Sequence, residues 1–349
     1  MQTLHPIRLA ASLHETIWGG RRLERDGWKQ LPPGNIPIGE SWETEITTIA
    51  QNKPYAGKTL GSLVEELGPR LLGEQVMAIF GHRFPLLAKF LDANDKLSVQ
   101  VHPDDTYAYM HEHGKLGKTE FWYVLDAAPG ASIIHGFKAL TSRGQVQKAI
   151  QDVKLENLLN EVSVSAGDII FVPAGTVHGI GGGVLLYELQ EYSDVTYRLY
   201  DYGRLTAAGT PRELHVEHSL DVSLYNRSPH IKMQPLVLRS GEGFQDRCLA
   251  ACQYFVTREL TFHQGSLLFD YMKRETARSC GILSSLGAEV TVRYGDDFEY
   301  EEKLVKGQTM VLPAALGNYC IEGNGNLLFS YVPAPLDEIR RSWEAKNGL

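Results

Sequence analysis

The chain has 349 residues, more than one typical domain holds, so two or three domains with substantial cores are expected. Apolar residues at 43% and charged residues at 22% are globular proportions, and no apolar run approaches the roughly 20 residues that span a bilayer. The net charge of −8, without a long run of lysine or arginine, argues against nucleic acid and acidic membrane surfaces as partners.

The first nine residues lack a basic stretch followed by an apolar core, so no signal peptide is read and a cytoplasmic protein is expected. The first forty residues are turn-rich, with Trp18-Gly-Gly-Arg-Arg and Leu31-Pro-Pro-Gly. Over residues 59–80, Leu60, Leu63, Leu67, Leu71, Leu72 and Ile79 recur at helical spacings and predict helix. Residues 84–91, 96–101, 119–125 and 132–135 have strand composition. Residues 141–160 are again helical, on an apolar stripe of Val146, Ile150, Val153, Leu155, Leu158 and Leu159.

Strands resume from Val162. Residues 226–231 read as a connector, and 233–332 as a second β-rich unit followed by a short terminal helix. The expected division is therefore 1–232 and 233–349. The whole is mainly β, a barrel interrupted by helical insertions and not an alternating β-α repeat. Cys248, Cys252, Cys280 and Cys320 include no pair of pairs at zinc-cluster spacing and read as reduced, mostly buried thiols.

Two segments carry chemistry. Gly167-Asp-Ile-Ile-Phe-Val-Pro-Ala-Gly-Thr-Val-His178 is a glycine turn, an apolar strand, a Pro-Ala-Gly turn and a histidine opening the next strand. In Gln100-Val-His102, strand alternation points both polar side chains to one face. Histidines reaching an interior from separate strands suggest a metal inside a barrel. The first segment has an echo 140 residues on, Gly307-Gln-Thr-Met-Val-Leu-Pro-Ala-Ala-Leu-Gly-Asn318, with Asn318 in the place of His178. The scaffold occurs twice and the histidine once, so one active site is expected, in the first barrel.

The glycine-proline-glycine-histidine segment resembles the second motif of the cupin superfamily, whose double-stranded β-helix, or jelly-roll, holds a metal. Gly182 replaces the motif's usual asparagine. Gln100-x-His102 resembles the first motif, but the expected carboxylate, Glu120, comes only after an inserted loop. With that loop, Leu97-Ser-Val-Gln-Val-His-Pro-Asp-Asp105, Gly117-Lys-Thr-Glu-Phe-Trp-Tyr123 and Val172-Pro-Ala-Gly-Thr-Val-His-Gly179 resemble type I mannose-6-phosphate isomerases of the short bacterial form. Tyr187-Glu188, Gln190-Glu191, Ser193-Asp194, Tyr197-Arg198 and Tyr202-Gly-Arg204 extend the likeness, which covers roughly residues 5 to 220.

The resemblance implies tandem cupin barrels, the second without metal ligands. It implies one zinc ion per chain on Gln100, His102, Glu120 and His178, and the interconversion of mannose 6-phosphate and fructose 6-phosphate. Two imidazoles, a carboxylate and an amide oxygen suit a borderline divalent cation; Fe(II), Mn(II) or Co(II) would also be accepted. Arg198 matches the family's active-site arginine, and its fork suits a phosphate or an enediolate oxygen. Lys118, alternating with Glu120, and Glu188, a family acidic residue, are the two proton-transfer candidates. A sugar phosphate is the implied partner, with no obligate protein partner.

Blander readings stand beside these. His111, His113 and His135 read as exposed histidines and Asp104-Asp105 as an exposed turn. The alternatives are that Gln100 bonds a neighbouring strand, that Arg198 pairs with Asp194 or Asp201, and that Lys118 is solvated. Tyr192, Tyr197, Tyr200 and Tyr202 read as packing. Two histidines and a carboxylate also describe the facial triad of Fe(II) oxygenases, although a fourth ligand at Gln100 would fill a position that oxygen chemistry needs open. A non-catalytic sugar-phosphate sensor is the remaining alternative.

Overall fold

The computed structural model describes residues 3–206, 209–226, 231–270, 279–287, 289–335 and 337–349. Antiparallel strands dominate, and the fold is mainly β with helical insertions, as expected. Two sheets form the N-terminal barrel. One has six strands, in the order Ile169–Val172, Glu120–Ala127, Val184–Glu191, Leu86–Ala93, Ile38–Trp42 and Ser12–Gly20. The other has five, in the order Tyr197–Tyr200, Val99–Val101, His178–Ile180, Ser132–Phe137 and Leu159–Ser163.

The six-stranded sheet is covered on both faces, so Leu86–Ala93 and Val184–Glu191 are buried throughout. Phe90, Phe121, Leu185, Tyr187 and Leu189 pack into the core shared with the C-terminal unit. The alternate residues Leu91, Trp122, Val124 and Leu186 pack into the barrel's own core. The period of two therefore places Lys89, Glu120 and Glu188 on the barrel side, with the second group. On the five-stranded sheet Val99, Val101, Val177, Tyr197 and Leu199 pack in a core with residues of the helices Arg143–Gln151 and Val216–Val222. This turns Ser98, Gln100 and Arg198 to the opposite face, toward the barrel interior.

The C-terminal unit is a ten-stranded sheet built around the long pair Val256–Phe269 and Tyr319–Tyr331. Hydrogen bonding crosses the expected boundary between 232 and 233. Ile7, Arg8 and Leu9 pair with Val311, Met310 and Thr309, so the N-terminal strand is a member of the C-terminal sheet. Residues 227–230 of the expected connector lie outside the described residues.

The expected helix over 59–80 is three helices, Leu60–Leu67, Pro69–Leu72 and Glu74–Phe80. The breaks fall at Gly68 and Gly73, whose φ of 51° and 95° are left-handed conformations that end a helix. Thr59 caps the first by accepting from Ser62 N. The stretch also binds the C-terminal unit, since Leu71 and Leu72 carbonyls accept from Ala314 N and Cys280 N.

Within 141–160 the α-helix is confined to Arg143–Gln151, with a 3₁₀ turn at Leu155–Asn157. Leu159 and Asn160 belong to a strand, because pairing with Ser132–Phe137 outweighs the local helical spacing. Sequence periodicity missed the helices Asp105–His111 and Val216–Val222. Asp104 is not a simple turn residue: its side chain caps the first of these by accepting from Tyr107 N. The expected terminal helix is present as Glu338–Asn347, capped by Asp337 and anchored by the fully buried Trp343.

Candidate metal centre and active site

Three strands and one turn converge on the barrel interior. In the five-stranded sheet Gln100 lies between His178 and Arg198, its cross-strand partners on either side. His102 follows two residues along, just beyond the strand end. The Pro173-Ala-Gly175 turn ties the two histidine segments together, as Gly175 N donates to the His102 carbonyl at 2.8 Å. Gly175 has φ of 84°, and a Cβ there would meet the Val222 carbonyl oxygen at 2.9 Å, so the turn requires glycine. Glu120 opens its strand in the facing sheet, opposite Val172 and Gln190.

His102 Nε2 lies 3.2 Å from one Glu120 oxygen and His178 Nε2 lies 3.6 Å from the other. Ligands held about 2.0–2.1 Å from a tetrahedral ion stand about 3.3 Å from one another. The spacing therefore fits a shared ion. Both Nε2 atoms and both Glu120 oxygens are buried without a hydrogen-bond partner, a costly arrangement unless something else satisfies them. His102 Nδ1 donates to the Val195 carbonyl at 2.9 Å and His178 Nδ1 to that of Thr176 at 2.8 Å. With the proton fixed on Nδ1, each ring aims a lone pair at the same point.

The electrostatics agree with this. Burial, then the Lys118 ammonium, pushes the His102 pKa down to about 3. Burial likewise takes His178 to about 4, so both rings are neutral at neutral pH. Burial alone would raise the Glu120 pKa, but Lys118 and the two histidines hold it well below the carboxylate range. Two neutral imidazoles and one carboxylate form a donor set suited to zinc or a similar divalent ion.

Beside the trio opens a cavity of about 410 Å³, whose lining includes Gln100, Lys118, Glu188 and Arg198. Lys118 is not solvated: it is buried, with Nζ 2.8 Å from Glu120 Oε1 in an ion pair that lacks hydrogen-bond alignment. Glu188 accepts from Trp122 Nε1 at 3.0 Å and lies 3.1 Å from Lys89 Nζ. Its pKa is raised by burial and the Glu120 charge, against the pull of Lys89. Arg198 does not pair with Asp201, which Arg204 and Arg212 occupy; its Nη1 donates to the Glu213 carbonyl and its Nε is buried without an acceptor. Gln100 lines the cavity, and among the described residues no protein group bonds its amide.

Sequence reasoning missed Lys89, Glu40, Trp42 and Arg212, which also line this cavity. Lys89 is buried between Glu188 and Glu40, at 3.1 and 3.5 Å, with Trp42 under its ammonium at 4.7 Å. Burial would lower the Lys89 pKa, but the carboxylates of Glu188 and Glu40 outweigh it and raise it. A lysine in a strand whose other residues, Asp92 apart, are apolar was the available signal. The expectation for His135 was wrong: it is buried next to His178 on the neighbouring strand, and its Nε2 donates to the Phe171 carbonyl at 3.0 Å, bridging the two sheets. His111 and His113 are exposed, as expected. None of Tyr192, Tyr197, Tyr200 and Tyr202 lines the cavity.

Among the described residues the grouping of His102, Glu120 and His178 is the one cluster of its kind, and none lies at the echo around Asn318. The echo repeats the backbone, with Gly307 at φ of 76° against 89° at Gly167 and strands at Thr309–Leu312 and Ile169–Val172.

The family model "Phosphomannose isomerase type I, catalytic domain" matches residues 7–120, which include Gln100, His102 and Glu120. A mannose-6-phosphate isomerase of Bacillus subtilis is 36% identical over 95% of this chain and all of its own length. The chain belongs to the type I phosphomannose isomerase family. Another relative, the mannose-6-phosphate isomerase of Streptococcus mutans, is 34% identical over 93% of this chain and 98% of its own. The crystal structure of a Bacillus subtilis mannose 6-phosphate isomerase superposes with a TM-score of 0.82 at 33% identity, covering 94% of this chain and all of that one.

Proposed function

We propose that the protein interconverts mannose 6-phosphate and fructose 6-phosphate, with one zinc ion per chain held by Gln100, His102, Glu120 and His178. The observation that carries this reading is the buried, unpartnered grouping of His102, Glu120 and His178 beside a cavity lined by Lys118, Glu188 and Arg198. Relatives spanned almost end to end by this chain are named for the reaction. Bound there, zinc would supply Lewis acidity to stabilise negative charge developing on a sugar oxygen, or orient the hydroxyls.

The reaction moves a proton between C1 and C2 through a cis-enediol, so a base, a charge-stabilising group and a hold on the phosphate are needed. Glu188, whose proton affinity is raised by burial and the Glu120 charge, is the stronger carboxylate candidate for the base. Lys118 presents an ammonium beside the trio and is the second group able to move the proton. Arg198, half-buried with a free Nε, offers its charge to a phosphate or an enediolate oxygen. The four cysteines are unpaired, which fits a reducing compartment such as the cytoplasm.

The test is protein purified without added metal, assayed before and after chelation and after restoring zinc. The reading predicts about one metal ion per chain, with isomerase activity lost to the chelator and recovered with zinc. Full activity in verified metal-free protein would refute it.

A further inference from the structure

The phosphate of the substrate has no assigned partner besides Arg198, and the electrostatics around that residue are unbalanced. Three guanidinium groups, those of Arg198, Arg204 and Arg212, gather where Asp201 is the buried carboxylate. Asp201 accepts from Arg204 and from Nε and Nη2 of Arg212. The other carboxylates nearby, Asp95, Asp194 and Glu213, are exposed; Asp194 lines the cavity but pairs with Lys115, and none makes a close pair with Arg198 or Arg212. Arg204 also donates to the Lys96 carbonyl and does not line the cavity; Arg198 and Arg212 do. Burial, and next the charge of Arg212, lowers the pKa of Arg198 against the opposing charge of Asp201, which is itself bonded to Arg204 and Arg212 and not to Arg198. Such a surplus is costly in the empty protein and suits a dianion.

The local backbone explains how the two forks are presented. Residues 212–215 run beside the strand Tyr197–Tyr200 as a strap. Arg198 N donates to His215 Nδ1 at 3.1 Å, His215 N to the Arg198 carbonyl at 2.8 Å, and Arg198 Nη1 to the Glu213 carbonyl at 2.8 Å. The strap thus fixes Arg198 while delivering Arg212 to the same wall. Asp201 orients Arg212 through two of its nitrogens, and among the described residues no protein acceptor takes Nη1. Arg198 Nε is likewise without an acceptor.

We propose that Arg212 is a second phosphate-binding residue, sharing the substrate's phosphate with Arg198 at the cavity wall that both line. The proposal rests on the isomerase reading. Asp201 and the 212–215 strap are its positioning elements, and neither touches the reacting carbons.

Steady-state kinetics of Arg212→Gln and Arg212→Lys, with inorganic phosphate as a competitive probe, test it. Loss of one charge-assisted contact to the dianion should raise KM for mannose 6-phosphate roughly 10- to 100-fold, with the smaller share of the loss in kcat. The inhibition constant for inorganic phosphate should weaken in parallel, and Arg212→Lys, which keeps the charge, should recover part of both. Arg212→Lys also reports if Arg212→Gln fails to fold. Unchanged KM and phosphate inhibition in either folded variant would overturn the proposal, as would a loss confined to kcat. Wild-type protein that binds phosphate through Arg212 yet does not isomerise would leave the anion site standing and sink the isomerase reading instead.

Discussion

At the scale of single residues, the grouping of His102, Glu120 and His178 was legible because each sits in a short motif whose alternation dictates its direction. Gln100 and His102 share a strand face, and Gly175 aims His178. The residues around them were legible only in part. Lys89 and Arg212 reach the cavity through cross-strand pairing and a distant strap, which leave no mark in local spacing. The protonation states yield two predictions. Unfolded histidines protonate near pH 6.5, but His102 and His178 stay neutral in the fold down to about 3 and about 4. The unfolded chain therefore binds more protons below 6.5, so stability of the metal-free protein should fall as pH drops from about 6.5 toward 4. Thermal melts of the chelated protein across that range should show this slope, and His178→Gln should flatten it. A pH-independent Tm would count against the buried neutral rings.

The second residue-scale prediction concerns Glu188. Its pKa is raised by burial and held back by Lys89, so the basic form needed for proton abstraction is gained as pH rises through that value. Replacing Lys89 with Met removes the restraining charge, and the acidic limb of the kcat profile should move to higher pH. An unmoved limb in an active Lys89→Met enzyme would take Glu188 out of the base role and favour Lys118.

At the scale of elements, strands were read more successfully than helices, for a physical reason. A strand buried on both faces declares itself by continuous apolar composition, as in Val184–Glu191. Helix ends depend on competition with sheet pairing, and Leu159 went to the sheet although its spacing was helical. The turn at 173–177 is where an element controls the site. Gly175→Ala would place a Cβ at φ of 84° and against the Val222 carbonyl, costing about 1–3 kcal/mol. Because that turn holds the His102 carbonyl, metal affinity should fall along with Tm, which a competition titration with a chromophoric chelator can measure. Wild-type affinity in the folded variant would show that the turn does not position the ligands.

At the scale of the whole molecule, the twofold scaffold was visible as the echo between Gly167 and Gly307, but the interleaving of the two units was not. The strand Ile7–Ala10 sits in the C-terminal sheet, and one core joins Phe121 and Tyr187 to Phe255 and Phe329. Trp343 of the terminal helix packs edge-on to Phe171, in the strand of the segment 167–178, at 5.7 Å. Trp343→Ala should cost about 3–5 kcal/mol by opening this core, read as a fall in the denaturant midpoint. A loss under 1 kcal/mol would mean that the helix is not an anchor.

In the proposed function, one metal centre on His102, Glu120 and His178 drives sugar-phosphate isomerisation. The measurement that meets it most directly is kcat/KM for conversion of mannose 6-phosphate to fructose 6-phosphate by zinc-replete wild type and Glu120→Gln, with bound metal quantified in both. The account predicts robust turnover by the wild type, and in the variant a loss of about a hundredfold or more together with weakened metal binding. No conversion by the metal-replete wild type, or wild-type turnover by Glu120→Gln, would contradict it.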